Sequence, residues 1–270
     1  MTGFTRVAAL AALLLGAAAG VSAQPALPAA LERAGVDQRP GQPVPLDSRW
    51  VDQHGTEVRL GDLLGERPAL LVPVYYDCPM LCGLILDGLV RSLKGVPLEP
   101  GVDFDVIAVS FDPSEGPAEA LGRHDTAVAR YDRETAASGL HFLSSDQPTI
   151  DAVMQSIGFR YNYDEESGEF GHAAAVIVLT PEGRVARYFL GVEFPPRDIR
   201  LSLVEAAENT IGGVVDKVLL YCFKYDPSLG RYTAATMNLV RAGGILTLAI
   251  LIAFVLLSLR RERRVAGARA

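Results

Sequence analysis

The fold is decided by a stretch at residues 69–82, which reads ALLVPVYYDCPMLC. Its first part, Ala69–Tyr76, is continuously apolar, a pattern typical of a strand buried on both faces of a sheet. Apolar residues then recur at helical spacing along Cys82–Lys94, which predicts a helix there. Cys78 is therefore predicted between a central strand and a helix, at the edge of the sheet where α/β proteins place their sites.

On either side of this stretch the chain alternates between strand and helix patterns. The other predicted elements are a hairpin at 50–60, strands at 104–111 and 141–144, helices at 117–137, 148–157, 197–211 and 214–225, and a hairpin of His172–Leu179 with Val185–Val192. The alternation predicts an α/β domain over residues 46–212, with a mixed sheet and helices on both faces. At 270 residues, of which 49% are hydrophobic, the chain can build one good core.

The N-terminus has the pattern of a secretory signal peptide at residues 1–23. Arg6 supplies a positive charge, an apolar segment follows, and Val21-Ser22-Ala23 is a small-residue cleavage site. An uncleaved N-terminal anchor is the alternative interpretation. Residues 24–45 are rich in Pro, Ala and Gly, which indicates a linker.

The C-terminus predicts a transmembrane helix at Gly243–Leu259. These 17 residues carry no charge, and as a helix they would span about 26 Å, near the lower limit for a bilayer. The arginine-rich tail at 260–270 is predicted to be cytoplasmic by the positive-inside rule, and 213–242 is predicted to be juxtamembrane. A buried core helix is the alternative. Together the two ends predict a single-pass protein of the cytoplasmic membrane whose functional domain is periplasmic.

The net charge of the chain is −7 at pH 7, and the arginines of the tail make the remainder more acidic still. An acidic domain is a poor ligand for nucleic acid, because it repels the phosphate backbone. A basic protein partner is compatible with this charge.

The chain has three cysteines, and two of them, Cys78 and Cys82, lie at the start of the predicted helix. A helix N-terminus favours the thiolate, which both disulfide exchange and metal binding require. A structural disulfide would close only a tiny loop, so it would stabilise the fold little. Three intervening residues leave room for a soft metal ion, and two thiolates with one imidazole suit copper. The pair is therefore predicted to bind copper or to exchange disulfides.

A copper site of this kind needs a histidine, and the chain has four: His54, His124, His141 and His172. His54 lies in a predicted hairpin turn, His124 is predicted on a solvated helix face, and His141 begins a short strand. His172 comes directly before an apolar strand, and in a thioredoxin-like sheet the loop before this strand approaches the redox cysteines. His172 is therefore the predicted ligand, although a lone histidine in such a place is more often structural.

These residues resemble the Sco/SenC family of thioredoxin-like copper proteins, which help to assemble the dinuclear copper site of cytochrome c oxidase. The resemblance covers residues 46–211. It is carried by the Cys-Pro-x-x-Cys of residues 78–82, by Val109-Ser110-Phe111-Asp112-Pro113 and by His172. It implies one copper ion per domain, with Cys78, Cys82 and His172 as the copper ligands, Cys78 and Cys82 as the redox pair, and the copper-site subunit of the oxidase as the partner.

The sequence departs from the family pattern at Gly83, where proline is usual, and at Gly171 and Ala173, where aspartate and serine usually flank the histidine. The predicted anchor is also C-terminal instead of N-terminal. Met80 lies between the cysteines and carries a soft sulfur, but it is interpreted as a packing residue. Cys222 lies in an apolar stretch and is interpreted as a buried inert thiol, with a redox or copper role as the alternative.

Three functions remain open from the sequence. The first is a copper-binding assembly protein, which requires His172. The second is an extracytoplasmic thiol–disulfide oxidoreductase that does not deliver copper, which requires only Cys78 and Cys82. The third is a thiol peroxidase, which is disfavoured because Tyr75 and Leu71 stand where peroxiredoxins have threonine or serine and proline.

Overall fold

The structure is a computed structural model that describes residues 34–78, 81–165, 167–211, 225–226, 231–232 and 243–255, with only the backbone at Leu81, Cys82, 225–226 and 231–232. Several predictions fall outside the described residues. They concern the signal peptide at 1–23, most of the juxtamembrane segment at 213–242 with Cys222, the basic tail at 260–270, and Met80.

The core of the fold is a five-stranded sheet. Its strands are β4 (Ala69–Val74), β5 (Asp105–Ser110), β6 (Leu140–Leu143), β9 (Ala175–Leu179) and β10 (Val185–Leu190), in the order β10-β9-β4-β5-β6. β4, β5 and β6 run parallel, β9 is antiparallel to β4, and β10 is antiparallel to β9. β4, β5 and β9 are buried at every position, which explains their continuous apolar runs. The predicted mixed α/β sheet is confirmed.

A second sheet of three strands carries the predicted histidine ligand. It consists of β1 (Gly35–Val36), β7 (Phe159–Asp164) and β8 (Glu169–His172), in the order β1-β7-β8. The prediction of one strand at His172–Leu179 is wrong, because β8 ends at His172 and β9 begins in the central sheet. Residues up to His172 pair with β7, where Tyr161 stands opposite His172. β1 lies within the predicted linker.

The remaining strands form two small hairpins. They are β2 (Arg49–Val51) with β3 (Glu57–Arg59), and β11 (Tyr225–Asp226) with β12 (Arg231–Tyr232).

Seven helices are found among the described residues. They are α1 (Leu60–Leu64), α2 (Leu81–Lys94), α3 (Pro117–Tyr131), α4 (Ala136–Gly139), α5 (Gln147–Ser156), α6 (Pro196–Ala207) and α7 (243–255). The helix predicted at 117–137 is therefore two helices. Asp132 adopts the left-handed conformation (φ 57°), and its N–H donates to the carbonyl of Val128, which ends α3. α2 packs against both α3 and α6.

The predicted transmembrane helix at Gly243–Leu259 requires correction. No helix within the described residues is long and apolar enough to cross a membrane.

Candidate functional site

Cys78 lies where the sequence placed it, in the loop that joins β4 to α2. It is buried, with 6% of its surface exposed, and its N–H donates to the carbonyl of Tyr75 at 3.4 Å. The backbone of Cys82 lies in the first turn of α2. Because the side chain of Cys82 is outside the described atoms, the pairing of the two sulfurs stays a prediction.

His172 is brought to the same end of the central sheet by β8. The imidazole is buried, and its Nδ1 lies 2.9 Å from the carbonyl oxygen of Ala173. This contact assigns the hydrogen to Nδ1 and the lone pair to Nε2, which is the nitrogen suited to a metal. The ring centroid lies 5.8 Å from that of Tyr75, three residues before Cys78. The structure therefore places His172 against the loop that carries Cys78.

An aromatic cluster fixes this arrangement, with Phe111 at its centre. Phe111 follows β5, is fully buried, and donates its N–H to the carbonyl of Val74 at the end of β4. The rings around it, with centroids 4.8–5.7 Å away, belong to Tyr75, Phe159, Tyr161, Phe170 and His172. A single side chain thus connects the cysteine loop to the hairpin that carries the histidine.

Glu115 is a site residue that the sequence reasoning missed. Its carboxylate is buried and accepts the N–H groups of Tyr76 and Asp77, each at 2.7 Å, together with the hydroxyl of Ser110. Burial raises the pKa of Glu115 above the ordinary glutamate value, although the hydrogen bonds from Ser110, Tyr76 and Asp77 act in the opposite direction. In the sequence, Glu115 could have been identified by its position just beyond the carboxyl end of a buried strand, where α/β proteins place functional residues.

Arg123 is the second residue that was missed. It lies on α3, and its guanidinium donates to the carbonyl oxygens of Tyr76 and Cys78. Helical spacing indicated only that this part of α3 carries charge, so it gave no sign of a contact with a loop 45 residues earlier.

The other three histidines lie elsewhere. The prediction of a solvated position for His124 is wrong, because its ring is buried against Phe142 on β6. His141 pairs with Ile107 in the sheet, and its Nε2 lies 3.4 Å from Asp105 at the amino end of β5. His54 is exposed in the turn between β2 and β3.

The donor types of the predicted site fit copper, since thiolate sulfur and imidazole nitrogen both bind it well. Among the residues whose side chains are described, no group of three or more His, Cys, Asp or Glu could hold a metal ion. The side chain of Cys82 is not among them, so the three-ligand set stays a prediction.

A groove of about 660 Å³ opens beside the cysteine loop. It is lined by Tyr75, Asp77, Asp112, Ser114, Tyr163, Ser167, Gly168, Glu169 and Phe170. Three carboxylates and three aromatic rings therefore face the same space, next to the residues that precede Cys78.

Comparisons with known proteins agree with this architecture. The model of the SCO1/SenC family matches residues 37–208. A protein of Aquifex aeolicus described as an electron transfer protein is 27% identical, with a TM-score of 0.56, over 63% of this chain and 95% of its own. A second Aquifex aeolicus protein, described as an electron transport protein, is 26% identical with a TM-score of 0.52, over 63% of this chain and 98% of its own.

A SCO1/SenC family lipoprotein from Bacillus anthracis shares the fold at 17% identity, with a TM-score of 0.52, over 63% of this chain and 98% of its own. The mixed α/β fold is thus thioredoxin-like, as in these relatives. A comparison with curated proteins finds no match.

Proposed function

The chain belongs to the SCO1/SenC family, and on that premise we propose that it binds one copper ion through Cys78, Cys82 and His172. We further propose that it serves the assembly of the copper site of a respiratory cytochrome c oxidase. The observation that carries the proposal is the placement of His172. Its buried imidazole packs on Tyr75, three residues before Cys78.

Each proposed ligand has a stated role. The two thiolates supply soft sulfur donors that hold copper, and they favour Cu(I). The carbonyl of Ala173 orients the imidazole of His172 through Nδ1, so that Nε2 is the nitrogen offered to the metal. The burial of Cys78 and His172 keeps water away from a copper ion held there.

The signal-peptide pattern at residues 1–23 supports a location outside the cytoplasm, where the copper sites of respiratory oxidases are assembled. In such an oxidising compartment, a disulfide between Cys78 and Cys82 can form and persist.

We propose that the client docks in the groove beside the cysteine loop through a basic segment next to its copper-binding cysteines. Asp77, Asp112 and Glu169 give the groove its negative charge, while the exposed Tyr163 and the half-buried Phe170 offer aromatic faces to an arginine or lysine. A client held there has its chain beside Cys78.

Copper titration of the full chain tests the metal site. The reduced protein is titrated with Cu(I) without oxygen, and His172→Ala is compared with His141→Ala. The control removes another imidazole, which lies beside Asp105 at the amino end of β5. We expect one tightly bound copper in the wild type and in His141→Ala, and a large loss of affinity in His172→Ala. Equal affinity in all three proteins would exclude His172 as a ligand.

A thiol–disulfide oxidoreductase is the second candidate, supported by the position of Cys78 three residues before the start of α2, with the backbone of Cys82 in the first turn of that helix. In this reaction the dithiol gives two electrons and two protons to a disulfide of the client, whose two thiols are released as the Cys78–Cys82 disulfide forms. Activity of this kind needs no imidazole. A His172→Ala protein that reduces the client disulfide at the wild-type rate, while copper affinity is unchanged, favours it over copper delivery.

A further inference from the structure

Two side chains, those of Glu115 and Arg123, bind the backbone of residues 76–78, and we call them the loop clamp. Glu115 accepts the N–H groups of Tyr76 and Asp77, each at 2.7 Å. Arg123 donates to the carbonyl oxygens of Tyr76 and Cys78. Four backbone groups of residues 76–78 are therefore bound by side chains, in a segment that has no regular secondary structure.

The acidic half of the clamp is itself held in place. Glu115 has 7% of its surface exposed, and the hydroxyl of Ser110 at the end of β5 donates to Oε2. A buried carboxylate is costly unless its oxygens are hydrogen-bonded. Here each oxygen receives a backbone N–H, so the position of Glu115 is tied to the conformation of the loop. If Glu115 is lost, the Tyr76 N–H is left buried without its acceptor.

We infer that Glu115 and Arg123 are positioning residues for Cys78. They fix the peptide groups of residues 76–78, so that the sulfur of Cys78 is offered in one geometry whether it binds copper, stays reduced or forms a disulfide. A loop that is already ordered has less conformational freedom to lose when a ligand binds. This inference rests on the proposed function in one respect, which is that Cys78 binds copper or forms a disulfide.

A purely structural role for Glu115 is the competing explanation, and the chain offers a matched control. Asp105 is also a buried carboxylate. It lies at the amino end of β5, whereas Glu115 lies beyond the carboxyl end of that strand, and it pairs with Arg67 at 2.9 Å. Asp105→Asn therefore weakens a buried carboxylate interaction of the same sheet without touching the cysteine loop.

The experiment compares Glu115→Gln, Arg123→Lys and Asp105→Asn in the full chain. Amide hydrogen exchange at Tyr76 and Asp77 is followed by NMR, the reduction potential of the cysteine pair is measured against glutathione, and Cu(I) affinity is measured by titration. We expect Glu115→Gln to speed exchange at both amides by about tenfold or more, the effect of losing one charged hydrogen bond. It also shifts the potential and weakens copper binding.

Arg123→Lys should have a smaller effect in the same direction, since lysine can still reach one carbonyl. Asp105→Asn should lower the melting temperature yet leave the exchange at Tyr76 and Asp77, the potential and the copper affinity near wild-type values. Unchanged exchange at Tyr76 and Asp77 in Glu115→Gln overturns the inference. Matching changes in Glu115→Gln and Asp105→Asn also overturn it, because they indicate a general loss of stability.

The two proposals fail separately in this design. If the wild-type chain binds no copper, the proposed function fails, while amide exchange and the reduction potential still decide the role of the clamp. If the wild-type chain binds copper but the amides of Glu115→Gln are as protected as before, the clamp fails and the copper site stands.

Discussion

Replacing Phe111 with alanine should uncouple the proposed histidine ligand from the cysteine loop without removing any ligand. Phe111 is fully buried and lies against both Tyr75 and His172, with ring centroids 5.6 and 5.1 Å away. It also contacts Tyr161 and Phe170 on the two strands of the hairpin. Alanine leaves a cavity between the hairpin and the central sheet.

The magnitude follows from these contacts. Truncation of a buried phenylalanine to alanine costs about 3–5 kcal/mol of stability, and each aromatic pair contributes about 0.5–1.5 kcal/mol beyond the area it buries. With five neighbouring rings we expect a loss near the upper end of that range. If about 1.4 kcal/mol of this lost stability comes from the contacts that hold His172 in place, copper affinity drops about tenfold.

Stability is measured by urea denaturation of the metal-free full chain, and affinity by Cu(I) titration under conditions where each variant is folded. Phe104→Ala is the control, because Phe104 is also fully buried but lies before the amino end of β5, whereas Phe111 follows its carboxyl end. We expect both variants to lose stability and only Phe111→Ala to lose affinity. Unchanged affinity in Phe111→Ala, or equal losses in the two variants, would refute the reasoning. If Phe111→Ala does not fold, Phe111→Leu, which removes the ring but leaves a smaller cavity, replaces it in the same comparison.

Three further predictions follow. Gly88→Ala should destabilise the fold by about 1–3 kcal/mol, because the new Cβ meets the carbonyl oxygen of Val192; urea denaturation measures it, and an unchanged midpoint would contradict the close packing of α2. Because burial raises the pKa of Glu115, its contribution to stability is full below the ordinary value of 4.5 and is lost as the pH rises through the raised value. The difference in free energy of unfolding between the wild type and Glu115→Gln should therefore shrink from pH 4 to pH 7 in urea titrations. A difference that grows with pH would contradict a raised pKa of Glu115. Asp112→Asn combined with Glu169→Gln should weaken association with the copper-site subunit and flatten the salt dependence of that association. Glu57→Gln, on β3 and outside the lining of the groove, should change neither. Equal binding by the wild type and both variants would exclude the groove as the docking site.

The sequence alone was enough to place Cys78 at the end of a central strand. Ala69–Val74 is apolar without interruption because both faces of β4 are buried, and the helical spacing after Cys82 reflects one buried face of α2. Both signals are local, since they depend on the burial of neighbouring positions within one element.

The sequence also predicted that His172 lies near the cysteine loop, although for a reason that the structure corrects. It was assigned to the start of the strand that became β9, whereas it ends β8 in a separate sheet. An apolar run does not reveal where a chain changes from one sheet to another, because both strands bury their side chains.

Only the tertiary structure decided what surrounds the cysteine. Glu115 and Arg123 contact the loop across 38 to 47 positions of chain, and His124 is buried because β6 supplies Phe142 to cover it. Periodicity records whether a side chain is apolar, not which distant backbone group a charged side chain reaches. The sequence therefore determined the strand and the helix, and it predicted the ligands. The folded chain determined which carboxylate and which guanidinium hold the cysteine loop, because those contacts exist only once segments far apart in sequence have packed together.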